Sequence, residues 1–436
     1  MDVSYRPKFF AIHELLLALI AATPVLALGG EWVLGPQLIT LATAILLALL
    51  PNGPDVDVKS SLAVFRPLAP VAMLPAAWML LQIAPVPLGS IEHPIWRSAA
   101  EALSQSMLGH ISIDPGFTLR ALFRYLTLAA LAFSTAVVAR NRDRAETLLF
   151  ALCTVTTFVG LEVMLLPHLA RTEPLDDLVA PVVLGMILDA ALFVRAAERY
   201  ETRVQAQTGS QRAHAVMLIA GLAGVLICTA ALIQSATYGV RIAALFGLAV
   251  FLLVILIRRL GLGRWTAVTV SAAVFVACCS VIVFQFPSNA SANSLFRFTR
   301  LELTDASAAT LRMLSDTGWA GVGVGNYGVF GAIYRDPAGG VADQASVNLV
   351  AAMLVEWGYA GALIVALPLF QQVIVLLRGA MSRGRDAFFA ASAAACLVTI
   401  FCEAFCDGSA TAIAVQMLAA IIVGMGMSQT VGSRAR

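Results

Sequence analysis

Four arginines, Arg241, Arg297, Arg300 and Arg312, stand close to the ends of apolar runs. There a guanidinium fork can meet phosphate or carboxylate oxygens two at a time. Arg241 follows the short turn Thr237-Tyr238-Gly239 at the depth of a lipid headgroup. That placement fits a fork onto a diphosphate and equally an anchor snorkelling to lipid phosphate. Arg297, Arg300 and Arg312 flank an amphipathic stretch over 303–314, so one or two of them can face a common ligand while the others are solvated. Proton carriers are scarce. Of five histidines, His168, His93 and His110 fall near one mouth of the molecule, and His168 is the available general base. Asp189, Glu162 and Glu403 lie in or near apolar runs, where an ionised carboxylate costs about 3 kcal/mol unless paired. Asp189 is the deepest and reads as a polar contact between helices. Cys402 and Cys406 stand one helical turn apart beside Glu403, but no histidine or further cysteine completes the four ligands that zinc takes. Neither metal nor cofactor is expected.

The elements that must position these groups follow from composition. The chain has 436 residues, 60% hydrophobic and 12% charged, with a mean hydropathy of +0.86. Lipid is therefore the expected solvent, and a net charge of +2 gives no field that would gather nucleic acid. A crossing takes about 20 apolar residues in a helix, because each backbone polar group must be satisfied inside the segment. On that basis twelve spans are expected, near 9–28, 32–50, 67–85, 121–139, 145–166, 179–194, 215–235, 240–257, 265–286, 359–377, 387–405 and 409–427. The fold expected is a single all-α membrane domain. Of the 28 Lys and Arg residues, nineteen fall on the side that holds both termini, which makes that side cytoplasmic by the positive-inside rule. The extra chain length lies on the other face, in a loop over 91–117 and a larger one over 287–358. In the first, Trp96, Ala99, Ala100, Leu103 and Met107 recur at helical spacing opposite Arg97, Glu101 and Ser104. That pattern suits a short helix in the membrane interface, or a structural lid.

The most specific text is Gly318-Trp-Ala-Gly-Val-Gly-Val-Gly-Asn-Tyr-Gly-Val-Phe330, followed by Asn348 and by Glu356-Trp-Gly-Tyr-Ala-Gly361, with eight residues from Asn348 to Glu356. A dinucleotide-binding reading fails because no strand precedes the glycines. The text resembles the O-antigen ligase and Wzy-type polymerase superfamily, and Ile111-Ser-Ile-Asp-Pro-Gly-Phe-Thr118 is similar to its exopolysaccharide members. The resemblance covers roughly 96–377. It implies a GT-C-like bundle that moves a glycan from an undecaprenyl-diphosphate carrier to an acceptor sugar on the periplasmic face of the bacterial inner membrane. No metal is involved, and other polysaccharide assembly proteins are possible partners. It assigns Asn348 to catalysis, with Arg241 standing in for the family's arginine and His168 for its histidine as the other catalytic candidates. Arg297, Arg300, Arg312, Gly323, Gly325, Asn326 and Glu356 are assigned to substrate binding, Glu356 by orienting the loop helix.

The chain also departs from that pattern. The family's histidine before the asparagine is Val347 here, its Ser-Arg-Gly turn is Thr237-Tyr238-Gly239 with Arg241 later, and its Asn-Arg-Asn-His-like run is Ala170-Arg171-Thr172-Glu173. A catalytically silent subunit of a polysaccharide assembly machine therefore stands beside the transferase. A twelve-helix major-facilitator-like transporter, with 195–212 as the linker between two halves, is the reading from another class.

Overall fold

The computed structural model describes residues 6–28, 34–52, 55–85, 91–105, 108–165, 176–206, 211–261, 294–296, 299, 304–334, 348–382 and 386–430. Among them the chain is helical throughout, with no strand. The helices are α1 (Arg6–Ala21), α2 (Thr23–Leu28), α3 (Leu34–Leu49), α4 (Asp55–Phe65), α5 (Ala69–Ala72), α6 (Leu74–Ile83), α7 (Pro94–Leu103), α8 (Pro115–Val138) and α9 (Arg142–Leu165). They continue as α10 (Asp176–Ala206), α11 (Gln211–Ser235), α12 (Tyr238–Arg259), α13 (Thr304–Asp316), α14 (Tyr327–Tyr334), α15 (Leu349–Ser382), α16 (Ala387–Glu403) and α17 (Ile413–Ser428).

Seven helical stretches are long and apolar enough to cross a membrane, or eight if the bent pair Val58–Phe65 and Ala69–Ile83 is one crossing. The 71° bend of that pair follows from Pro67 and Pro70, which remove backbone donors and disfavour helix in the residues before them. Three more expected spans are the apolar helices α3, α16 and α17, of 16, 17 and 16 residues. At 1.5 Å per residue these reach about 25 Å, short of a ~30 Å hydrocarbon core. The expected span 265–286 lies outside the described residues.

The core forms around α10, of whose most apolar 18 residues 89% are buried, whereas the matching segment of α15 has 17% of its residues buried and lies at the edge. Leu131, Leu149, Leu188, Phe251, Phe389 and Leu418 meet there. Helix α11 approaches α10 closely enough that a Cβ at Gly224 would stand 2.4 Å from the Asp189 carboxyl carbon. Asp189 itself is buried and accepts from Thr157 Oγ1 at 3.0 Å and from Cys228 Sγ at 3.7 Å. It is the interhelical polar contact its depth suggested.

The two ends of the bundle differ in chemistry. At one end Glu146 pairs with Arg142, Arg195 and Arg199, and Arg142 also meets Asp386 at 3.2 Å. Arg195 lies over the Phe388 ring, and Arg140 donates to Ser428 O at 3.0 Å. The other end gathers the C-termini of α6 and α16, the N-termini of α8, α15 and α17, and α13 and α14.

Candidate functional site at the glycine-rich end

The site begins with the turn 318–326, which joins α13 to α14. Gly323 has φ +98° and Gly358, where α15 breaks two residues after Glu356, has φ +67°. A side chain is strained in that region, and there is no room for one. A Cβ at Gly323 would lie 2.4 Å from Ser112 Oγ, and one at Gly358 2.2 Å from Trp319 O. The glycines therefore allow three backbone segments to pack directly on one another.

Those segments are 110–118, 318–330 and the start of α15. Ile113 N donates to Val322 O at 2.9 Å, Val322 N to Val355 O at 3.0 Å and Gly323 N to Glu356 O at 3.1 Å. Gln82, fully buried near the end of α6, ties them together. Its Nε2 donates to Ala320 O at 2.9 Å and Glu356 O at 3.0 Å, and its Oε1 accepts from Val324 N at 3.3 Å. Asn326, also fully buried, donates through Nδ2 to Ser112 Oγ at 3.0 Å, Thr118 Oγ1 at 3.2 Å and Asp114 O at 3.3 Å. The Glu356 carboxylate accepts from Tyr327 N at 3.0 Å and from Gly325 N, at the N-terminus of α14. That end of a helix favours an anion.

Asp114 caps α8 by accepting from Gly116 N at 2.8 Å, with Pro115 in the first turn. Arg120 and Arg124 follow, one turn apart. Arg120 is exposed and stacks over Phe117 at 5.2 Å. Arg124 donates to Thr411 O and its charge acts on Glu356. On the other side, His93 N donates to His110 O at 2.9 Å, His110 Nδ1 lies 2.7 Å from Ile83 O, and the His93 ring meets Phe330 edge-on at 5.9 Å. Burial lowers the pKa of His93, whose Nδ1 caps α7 by accepting from Ile95 N at 3.3 Å. Burial and a hydrogen bond to Asp316 at 2.7 Å push Tyr334 up to about 12.

Of the residues singled out from sequence, Gly323, Gly325, Asn326 and Glu356 come together here. Asn348 stands at the start of α15 and is fully buried. Its Oδ1 accepts from Ala351 N at 2.7 Å, and its Nδ2 donates to Leu295 O at 2.8 Å and Phe405 O at 3.4 Å. These contacts make it a helix cap that pins α15 to the turn after α16. Arg241 donates to Leu232 O at 3.1 Å and Ile233 O at 2.6 Å, closing the C-terminus of α11. Arg312 is exposed on α13 and donates to Ala308 O at 3.4 Å. His168, Arg297, Arg300 and Val347 lie outside the described residues. Gln82 and Arg124 were missed, since a lone glutamine in an apolar run carries no spacing signal and Arg124 looked like one of many helix-end cations. No group of three or more metal-ligating side chains occurs among the described residues.

No family model matches this sequence, and no curated protein matches it.

Proposed function

We propose that this chain is a membrane glycan transferase of the O-antigen ligase and Wzy polymerase kind, moving a glycan from an undecaprenyl-diphosphate carrier to a sugar hydroxyl. The observation that carries the reading is convergence. The stretch 111–118, some 200 residues before the neighbouring stretches 318–330 and 348–361 that share the resemblance with it, packs with them into one platform at one end of the bundle. The opposite end holds Arg140, Arg142, Arg195 and Arg199, so the positive-inside rule supports a platform on the extracytoplasmic face and cytoplasmic termini. In this reading the bundle has twelve crossings and is GT-C-like.

The reaction breaks the bond from the sugar anomeric carbon to a phosphate oxygen and forms one to the acceptor oxygen, whose proton passes to a base. The leaving diphosphate needs cations aimed at its oxygens. Arg120, exposed beside the platform, and Arg124 are the guanidinium groups nearest to that task, with Arg312 on the rim.

The silent-subunit reading is favoured by two contacts. Asn348 is engaged in capping α15 and Arg241 in closing α11, and valine stands at 347. One experiment separates the two: purified protein in lipid receives a polyprenyl-diphosphate oligosaccharide and an acceptor glycan, and released polyprenyl diphosphate is measured. Release by the wild type that falls at least tenfold in Arg120→Ala, at equal donor binding, supports transfer. Donor binding without release moves the chain to the subunit reading, and no binding sinks both.

A further inference from the structure

We propose that α7 is an in-plane membrane anchor, seated with one stripe in the outer interface of the bilayer beside the platform; the inference does not depend on the transfer reading. None of the residues of α7 is buried. Yet Ile95, Ala99 and Leu103 recur every fourth residue along one side, with Ile95 36% and Leu103 60% exposed. Arg97 and Glu101 lie on the opposite side, and Arg97 is held by Glu92 at 3.5 Å. A helix on the water-facing surface has no cause to display such a stripe, whereas a lipid surface takes an apolar stripe and leaves the charged one wet.

The depth of α7 follows from its tethers. Trp96 Nε1 donates to Ser112 O at 3.0 Å, and the Trp96 ring meets His110 at 5.1 Å, which is bonded to Ile83 O. Ile83 is the last residue of α6 and Ser112 stands three residues before α8 begins, so α7 starts where two apolar helices end. Those helices display Leu80 and Leu81 at the end of α6 and Phe117 and Phe123 at the start of α8 as exposed apolar side chains, and the tethers start α7 beside those two helix ends. An apolar stripe starting beside the exposed apolar ends of two apolar helices is what identifies the occupant as lipid. Through His93 and Phe330 the anchored helix touches α14, so a lipid-seated α7 would brace the glycine-rich turn from the membrane side.

The test uses the full chain in phosphatidylcholine nanodiscs, with an environment-sensitive fluorophore on Leu103→Cys or, on the opposite side, Glu101→Cys, and the labelled parent as background. The expected result is quenching of the position 103 probe by brominated lipid several-fold above that at position 101, and the reverse order with iodide. Equal iodide access at both positions would put the helix in water and overturn the proposal. Protection of position 103 from both quenchers would assign the stripe to a second protein or a second copy, and also overturn it. Should Leu103→Cys not fold, Ile95→Cys reports on the same stripe.

Discussion

Replacing Gln82 by leucine tests whether the platform is held as the hydrogen bonds indicate. The substitution keeps the side chain buried and roughly its size but removes one acceptor and the donors of Nε2. Glu356 O retains Gly323 N as a partner. Ala320 O and Val324 N, both on buried residues, lose the amide group that each meets at 2.9 Å and 3.3 Å. An orphaned buried polar group costs about 1–3 kcal/mol, so two cost about 2–6 kcal/mol. That is a large part of the roughly 5–15 kcal/mol that holds a typical fold. Because the loss is local, the turn 318–326 should open before the bundle melts. Limited proteolysis and fluorescence-detected thermal melting in detergent measure the two effects separately. Gln82→Glu should behave nearly as badly, since a carboxylate accepts from Val324 N but faces two carbonyl oxygens with nothing to donate. A Gln82→Leu protein that melts with the wild type and keeps its turn equally protease-resistant would refute the reasoning.

Gly323→Ala should disrupt the turn, with φ +98° and Ser112 Oγ 2.4 Å from the new Cβ, while Gly318→Ala, with nothing within 4 Å, should be silent; expression level and melting temperature of the pair check this. Arg241→Ala should lower thermal stability by about 1–3 kcal/mol through the carbonyls of Leu232 and Ile233 it leaves open. Glycan transfer per folded molecule should then fall less than folding does, and a lysine should restore part of the stability. The pKa of His93 is lowered in the folded chain, so the folded state binds its proton less readily than the unfolded state. Its contribution is whole above about pH 6.5 and is lost as pH falls below that value. Hydrogen-exchange protection over 94–103, taken relative to the intrinsic rate at each pH, should fall between pH 7 and 5, and His93→Asn, which can still accept from Ile95 N, should flatten the dependence.

Much of the architecture was legible because lipid imposes a coarse rule: apolar runs near 20 residues become helices, and those runs reappear as α8 to α12 and α15. The short helix over 94–103 was legible from its spacing, and Asp114-Pro115 marks the start of α8. The lengths of α3, α16 and α17 were not, because hydropathy reports burial in an apolar medium and not where a helix stops. Asn326 and Glu356 stood out through their motif, but their partners Gln82, Ser112 and Thr118 lie some 200 residues away or more. Asn348 and Arg241 were singled out by residue type, and type does not distinguish a group aimed at a ligand from one engaged with a backbone carbonyl.

The glycine-rich turn looks like a phosphate cradle, and its amides decide whether it can be one. A cradle leaves consecutive N–H groups open to the ligand. Here Gly321 N donates to Gly318 O, Val322 N to Val355 O, Gly323 N to Glu356 O, Val324 N to Gln82 and Asn326 N to Gly323 O. Gly325 N and Tyr327 N meet the Glu356 carboxyl group, so the acceptor that fills this turn is the chain's own. A diphosphate near the platform must then be met by side chains, with Glu356 either a brace or a charge that the reaction uses. Glu356→Gln separates these, because it removes the charge while its one carbonyl oxygen can still accept from Tyr327 N, at the cost of the second acceptor oxygen. As a brace, it should keep both the melting temperature and the transfer rate near wild type, while Glu356→Ala lowers both. As a charge that orients Arg124 for the diphosphate, Glu356→Gln should melt normally and lose transfer by an order of magnitude or more. We expect the second outcome, since the Arg124 charge favours the ionised form of Glu356, and wild-type transfer by the glutamine variant would reduce Glu356 to a structural support.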